Sequence, residues 1–521
     1  MKRSALGLWT LAVLGCTSHG PDVRTPCDLV IEGGRVVDGT GDAARPADVV
    51  VRGDRILAVT APGEATTQFA PESVLDAVGM VVAPGFIDVH AHGDPLRTPE
   101  FRNFTAMGVT TICLGLDGSS PAGATDFAAW FDAVDGRRPA VHVAACVGHG
   151  SVREQAGIGA ATDPAPAEVA RMAGLIAAAL DAGAAGLSTG LEYTPGRSAD
   201  ADELAAIAAP VAARGAFIAS HVRNEDDGEV GAAVEELLDQ CRAAPGARAH
   251  LSHAKIVHAH DPARSATILE RLVAARAEGL QVTADVYPYT ASYTGVSILF
   301  PDWARPPEGS PAVLAARRAD LLNHLRQRVL SRNGPDATLF GSGPYAGQTL
   351  AEVAARAQRP FEEVLADLGP DGASAAYFVM DEGVMEALLT SPGTMVASDG
   401  SPTMRHPRGH GTYPRVLARH VRERGALGLE DAIHRMTGMP AALLGLTDRG
   451  RIAPGMMADL VVFDPDRVQD RATFTAPFER ATGFRAVFVA GTAVVQDDAP
   501  TGARPGGALR AQHAREGRTD R

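Results

Sequence analysis

The stretch Pro166–Gly183, PAEVARMAGLIAAALDAG, runs directly into Ala184–Tyr193, AAGLSTGLEY. The first part is an Ala-rich helical text closed by a glycine, and the second is a short apolar run that ends in polar and charged residues. Helix followed by strand in this way, repeated from Gly85 to about Gly445, argues for a parallel sheet or a (β/α) barrel. Outward from this middle the text changes. From Cys27 to about Val82 it is short β-rich runs punctuated by glycine, such as LVIEGGRVVDG (Leu29–Gly39) and ADVVVRGDRILAV (Ala47–Val59). After Arg449 the same style returns in GRIAPGMMADLVVFDP (Gly450–Pro465) and RAVFVAGTAVVQDD (Arg485–Asp498). The two ends look alike, so 27–82 plus 446–498 are expected to build one small β domain, a β-sandwich, around a large α/β barrel over 83–445. Within the barrel text, Pro301–Gly347 breaks the alternation with several prolines around one helical stretch, VLAARRADLLNHLRQRVL. An insertion there belongs on a loop at the barrel mouth, as a lid. From Ala499 to Arg521 the chain is Gly, Pro, Arg and Ala without periodicity, and reads as a loosely ordered tail.

The 521 residues carry 62 acidic against 48 basic side chains, a net charge of −14, with 45% apolar residues. That composition belongs to a globular protein, and an acidic balance without a dense basic block argues against nucleic acid as a partner. Five cysteines in so long a chain cannot form a disulfide scaffold, and Cys27, Cys113, Cys146 and Cys241 are expected to be buried free thiols. The opening MKRSALGLWTLAVLGC has a basic start and a short apolar run, which reads as an export signal, too short to span a bilayer. Val13-Leu14-Gly15-Cys16 resembles a bacterial lipobox, implying removal of residues 1–15 and a lipid on Cys16; a plain signal peptide cut nearby gives the same export. On this reading the chain is exported to the cell envelope, and touches membrane only through that anchor.

Histidines sit where apolar strand-like runs end. His90 and His92 close GFIDVHAH, His221 closes AFIASH, and His253 closes ARAHLSH. Residues two apart in a strand point the same way, so His90 and His92 can offer both imidazoles to one cation, and neutral imidazole suits zinc. Asp117 in TICLGLDG and Asp399 in TMVASDG occupy the same kind of position. His142, His149, His250, His258 and His260 also lie near strand or loop ends, and strand period alone does not separate them from the first set.

PGFIDVHAHGD (Pro84–Asp94), GVTTICLG, GLSTGLEYTPG, SHVRNE, LSHAKI, ADVYPYTAS, ASDG and HPRGHGTYPRVL together resemble the D-aminoacylase, or N-acyl-D-amino-acid deacylase, branch of the amidohydrolase superfamily. The resemblance runs from about Leu29 to Asp498. It implies a catalytic (β/α)8 barrel of TIM type with the active site at its C-terminal face, a small β domain from both chain ends, and a lid at the Pro-rich stretch. It further implies metal ligands His90, His92, His221 and His253, an acid–base Asp399, an oxyanion donor Tyr193, and an α-carboxylate site of Lys255, Ser292 and Arg408. His142, His149, His250, His258 and His260 fall outside the motif positions. Arg223 and Asn224 lie in a matching motif but are taken to buttress His221.

The implied activity is metal-dependent removal of the acyl group from N-acyl-D-amino acids. A divalent metal lowers the pKa of a bound water toward neutrality, and one carboxylate can take that proton during attack on the amide carbonyl and return it to the leaving amine. One position departs from the family. Where D-aminoacylases read GNCG with a metal-binding cysteine, this chain reads Gly115-Leu116-Asp117-Gly118. Asp117 supplies an oxygen on a short stem, able to ligate one metal or to bridge two, so one or two zinc ions are expected, and a harder ion such as manganese is also accommodated. Cys113 does not match the cysteine position and reads as a core thiol. The competing readings are a hydantoinase- or dihydroorotase-like cyclic amidase or a D-dipeptidase on the same scaffold, and, outside enzymes, a catalytically dead metal- or peptide-binding lipoprotein, which would be expected to lose Asp399.

Overall fold

The chain is described by a computed structural model over residues 24–513. The expected leader 1–15 and Cys16 lie outside the described residues. Among those residues, no helix is long and apolar enough to cross a membrane.

Five strands precede the barrel: β1 (Thr25–Val36), β2 (Arg45–Arg52), β3 (Arg55–Thr60), β4 (Phe69–Asp76) and β5 (Val81–Pro84). The barrel strands are β6 (Phe86–Asp88), β7 (Val109–Leu114), β8 (His142–Ala145) with β9 (Val147–Gly148), β10 (Gly186–Gly190), β11 (Phe217–His221), β12 (Arg248–Leu251), β13 (Val282–Val286) and, after the insertion, β17 (Thr394–Val396). β8 and β9, separated only by Cys146, form one barrel strand: β8 pairs with β7 and β9 with β10. Every neighbouring pair is parallel. The eighth strand returns to the first through Asp399 N–H to His90 C=O and His92 N–H to Gly400 C=O, each 2.8 Å, which closes the ring. Parallel strands covered on both faces bury nearly every residue, as β7, β10 and β11 do over their whole length.

The helix Pro166–Asp181 shows why the sequence alternates. Proline opens it at the position where no N–H is needed, and Glu168 reaches back to accept the Ala165 N–H at 2.7 Å. Its inward face is Met172, Ile176, Ala179 and Leu180, at spacings of three and four. Gly183, at φ 108°, turns the chain into β10.

The two chain ends meet in one nine-stranded sheet: β18 (Leu460–Phe463) lies antiparallel to β5, and β19 (Phe484–Val489), β20 (Thr492–Gln496) and β21 (Ala499–Pro500) extend it. The insertion is wider than its proline content indicates. β14 (Ser292–Gly295), β15 (Thr338–Phe340) and β16 (Ser374–Tyr377) form a separate antiparallel sheet in the order β14-β16-β15. They share a core of their own with Leu321, Leu325, Val353 and Leu365. The insertion therefore runs from Ser292 to Tyr377 rather than over 301–347. Its later helices carry ordinary amphipathic spacing, which in sequence is indistinguishable from that of barrel helices.

The tail is a second correction. Residues 499–513 are not loose: they run as an extended strap beside the barrel. Val143 donates its N–H to Gly507 C=O at 2.9 Å, Leu509 to Val143 at 2.8 Å and Ala511 to Gly183 at 2.9 Å, so the strap lies between β8 and the chain entering β10. A side chain at Gly506 would meet the Val141 carbonyl 2.1 Å from its Cβ, so glycine permits the approach. Arg510 adds ion pairs to Asp132 at 2.7 Å and Asp135 at 2.8 Å. Residues 514–521 lie outside the described residues. At about 1 kcal/mol net per buried backbone hydrogen bond, removing the strap costs roughly 3 kcal/mol. Truncation after Asp498 is expected to lower the thermal midpoint by about 5 °C in a calorimetric scan. An unchanged midpoint would show that the strap adds nothing.

Candidate active site

Parallel strands deliver their C-terminal residues to one mouth. His90 and His92 follow β6, Asp117 follows β7, His221 ends β11, His253 follows β12 and Asp399 follows β17. The ligand atoms of His90, His92, Asp117 and Asp399 lie within 4.8 Å of one another, and so do those of Asp117, His221 and His253. Asp117 belongs to both sets. Its Oδ1 lies 3.4 Å from His90 Nε2, 3.3 Å from His253 Nε2 and 3.7 Å from His221 Nδ1, while its Oδ2 lies 3.4 Å from His92 Nε2. Asp399 Oδ1 is 3.0 Å from His92 Nε2 and 3.7 Å from His90 Nε2.

The backbone is bent to make this convergence. Asp117, His253 and Asp399 have φ of 54°, 35° and 47°, the left-handed region that non-glycine residues avoid unless the surroundings impose it. The Asp117 turn packs so tightly that a Cβ on Gly190 would lie 2.2 Å from the Asp117 carbonyl oxygen. Ser188 holds the turn from β10, accepting from Gly118 N–H at 3.2 Å and donating to Gly115 C=O at 2.6 Å. Beneath the site Asp88 accepts from the Ser398 N–H and hydroxyl at 3.0 and 2.5 Å, tying the first strand to the last. Burial pushes its carboxyl up to about 6.

Electrostatics point to a cation. Burial alone would lower His92, yet Asp117 and Asp399 raise it to about 9. Burial likewise opposes protonation of His221, and Glu225, Asp117 and Glu192 together raise it to about 10. Both ring nitrogens of His90 and Oδ1 of Asp117 are buried without a hydrogen-bond partner. A set of imidazoles and carboxylates with orphaned, converging atoms fits a divalent ion bound through nitrogen and oxygen.

Tyr193 stacks at a tilt on His221, ring centroids 4.5 Å apart, and its Oη accepts from Thr294 Oγ1 at 3.2 Å. Burial and the nearby Glu192 push its phenol well above the ordinary value, so it remains a proton donor. Arg408 is 2% exposed, donates to Asp399 Oδ2 at 2.9 Å and lies 4.6 Å over the Tyr287 ring. Burial opposes ionisation of Asp399, but Arg408 and His90 hold its carboxyl well below the usual range. Lys255 Nζ lies 5.8 Å from the same Tyr287 ring and donates to Glu225 Oε1 at 2.5 Å. Burial would lower the Lys255 ammonium, and Glu225 raises it above its ordinary value. Lys255, Ser292 and Arg408 all line a cavity of ≈ 640 Å³ at the barrel mouth, together with His92, Asp117, Tyr193, His221, His253 and Asp399.

Three carboxylates that sequence reasoning passed over complete the site. Asp285 on β13 accepts the His253 N–H at 2.8 Å and faces His250 Nε2 at 2.8 Å and His90 Nδ1 at 3.7 Å, fixing both ligand-bearing segments. Glu192 lies 3.0 Å from His221 Nε2, and Glu225 lies 3.3 Å from His253 Nδ1. All three stand inside motifs already singled out, ADVYPY, GLEY and SHVRNE, but nothing local marks which neighbour each would face. Two other histidines serve elsewhere: His149 pairs with Glu203 at 2.7 Å and His142 with Asp459 at 3.3 Å. Arg223 binds Glu236 and the Arg197 and Ala199 carbonyls, clear of the ligands. The four described cysteines are free and buried, with Cys113 and Cys146 Sγ atoms 3.8 Å apart in the barrel wall.

The chain as a whole is also similar to known proteins. The amidohydrolase family (Amidohydro_3) profile matches residues 384–495. The N-acyl-D-glutamate deacylase of Alcaligenes xylosoxydans xylosoxydans is 40% identical over 506 residues, covering 93% of this chain and 96% of that protein. The crystal structure of N-acyl-D-glutamate deacylase from Bordetella bronchiseptica, complexed with zinc and a phosphonate mimic of the tetrahedral intermediate, superposes with a TM-score of 0.81 at 36% identity, covering 93% of this chain and all of that one. A D-aminoacylase structure, described for its binuclear metal centre with one-metal activation and second-metal attenuation, gives a TM-score of 0.81 at 33% identity over 94% of this chain and all of that one.

Proposed function

Because this chain belongs to the N-acyl-D-amino-acid deacylase family of the amidohydrolases, we propose that its barrel mouth hydrolyses the amide of N-acyl-D-amino acids, releasing a carboxylic acid and a free D-amino acid. The observation that carries this is the placement of Asp399, between the ligand imidazole of His92 and the buried guanidinium of Arg408. His90, His92, Asp117, His221 and His253 would hold zinc, one ion or two. When bound, the ion supplies Lewis-acid polarisation of the amide and a lowered pKa for the attacking water.

The remaining chemistry is the chain's own. Asp399 is ionised at any ordinary pH, so it accepts the proton of the attacking water and then delivers it to the leaving nitrogen. Tyr193 keeps its hydroxyl proton and donates a hydrogen bond to the carbonyl oxygen as charge gathers there. Lys255, Ser292 and Arg408 receive the α-carboxylate, with both cations beside the Tyr287 ring, and so fix which enantiomer presents its amide carbonyl to the attacking water. With zinc loaded, N-acetyl-D-methionine is expected to be hydrolysed at least about 100-fold faster than its L-enantiomer, a difference typical of a site that orients its substrate by charge. Hydrolysis of hydantoins or dipeptides in its place would overturn the reading.

The leader 1–15 and Cys16 carry a further part of this proposal, resting on sequence only: export and lipid attachment at the envelope. Mass spectrometry of the mature N-terminus tests it, and an unmodified Met1 would refute it.

A further inference from the structure

The α-carboxylate site draws on two segments far apart in the chain, Ser292 at the start of β14 and Arg408 at the start of the helix Arg408–Arg415. One side chain ties them together. His406 is fully buried, and its Nδ1 accepts the backbone N–H of Arg408 at 3.0 Å. Its Nε2 lies 3.0 Å from the carbonyl oxygen of Ala291, the residue before Ser292. An amide N–H can only donate and a carbonyl can only accept, so the ring is neutral with its proton on Nε2. Burial and the Arg408 charge beside it hold the imidazole well below its ordinary pKa, in agreement with that tautomer. Both ring nitrogens are therefore engaged by the two segments of the site.

Aromatic rings hold the imidazole in place. Phe474, from the loop between β18 and β19, stands edge-on to it with ring centroids 4.9 Å apart, and Tyr289 and Tyr293 do so at 5.5 and 6.2 Å. Phe474 also packs on Phe378, which follows β16 of the insertion, at 4.6 Å. Barrel, insertion and small β domain thus meet at this ring. What the ring fixes is the origin of a long side chain. From that point Arg408 reaches Asp399 Oδ2 at 2.9 Å, and its Nε is buried without a hydrogen-bond partner. A guanidinium fork is only as well placed as the backbone that carries it, and a misplacement of about 1 Å in such a contact can cost about 100-fold in rate.

We propose that His406 is the positioning residue of the α-carboxylate site, setting Arg408 against Ser292 and with it the preference for a substrate whose α-carbon bears a carboxylate. This rests on the deacylase reading above. A purely local role, capping the helix that begins at Arg408, would need the Nδ1 bond alone. The bond to Ala291, 115 residues away in sequence, is what the positioning role adds.

Acetate release by the zinc-loaded enzyme is followed on N-acetyl-D-methionine and on its carboxamide, N-acetyl-D-methioninamide, which keeps the scissile amide and lacks the anion. In the wild type the acid is expected to exceed the carboxamide in kcat/KM by about 100-fold. His406→Asn keeps an acceptor for the Arg408 N–H and loses the reach to Ala291. In this variant the acid-over-carboxamide ratio is expected to fall about tenfold, chiefly through KM for the acid, with zinc content unchanged. His406→Gln, whose amide nitrogen reaches as far as Nε2, is expected to recover part of the ratio. A capping role alone predicts wild-type KM and ratio in the asparagine variant, and that result would overturn the proposal. An equal loss on both substrates would overturn it as well, since damage to the fold or to the metal site spares neither. Phe474→Leu loosens the imidazole from outside and is expected to lower the same ratio about threefold. Should the asparagine variant not fold, this one carries the test, and an unchanged ratio in it counts against the proposal in the same way. A wild type that hydrolyses neither substrate would sink the deacylase reading and this proposal with it, whereas equal rates on acid and carboxamide sink the proposal alone.

Discussion

Asp399→Asn is expected to lower kcat by at least about 1,000-fold while leaving the metal content unchanged. A positioned general acid or base contributes about 100- to 10,000-fold, and here one carboxylate serves both proton transfers. A 1,000-fold loss is about 4 kcal/mol of transition-state stabilisation. Asparagine is the informative replacement. At φ 47° the position is left-handed, where Asn is tolerated almost as well as Asp, so the turn survives; alanine would add backbone strain to the lost charge. The amide keeps an oxygen toward His92 and removes only the ability to take a proton. Arg408 loses its anionic partner at 2.9 Å, and this is expected to raise its availability to the substrate's carboxylate, so KM should not rise. Rate and zinc are measured on one preparation. More than a tenth of wild-type kcat with full zinc would remove Asp399 from the proton path. The wild-type pH profile carries the same information: with its carboxyl held well below the usual range, Asp399 stays ionised through mildly acidic pH, so an acid limb near pH 4 would not be its own titration.

What the sequence makes legible, and what it conceals, follows from how far each signal reaches. His90, His92, His221, His253 and Asp399 end apolar runs, and a parallel barrel sends all such ends to one mouth, so type and place agree within a few residues of text. Asp285, Glu192 and Glu225 act across strands: Asp285 matters because His250 and His253 come up one strand away, a relation set by registration of β12 beside β13. The strap at 499–513 was hidden for another reason. Its order comes from backbone groups finding partners on Val143 and Gly183, and composition records side chains, not backbone partners. The limits of the insertion were misplaced because amphipathic helices look alike whichever core they face.

Asp117→Ala is expected to lower the bound zinc, and the stoichiometry that remains distinguishes two arrangements. Asp117 has two oxygens that face different imidazoles: Oδ2 toward His92 at 3.4 Å, Oδ1 toward His90, His221 and His253 at 3.3–3.7 Å. A carboxylate so placed joins the His90/His92 pair to the His221/His253 pair. It is also the negative charge that most of these histidines share, since it raises His90, His92 and His221 together. Removing a group that only hydrogen-bonds a ligand weakens a metal site about tenfold to 100-fold, and losing a ligand together with its charge costs at least as much. If Asp117 bridges two ions, both should leave together and activity should fall with them. If it serves one ion, a single zinc should persist on the other histidine pair. Asp117→Asn separates charge from backbone, because the position has φ 54° and asparagine suits it. Should the asparagine variant lose zinc as the alanine variant does, the negative charge is what holds the ion; should it keep zinc, the oxygen alone suffices. The alanine variant retaining full zinc and full activity would end the assignment of Asp117 as a ligand.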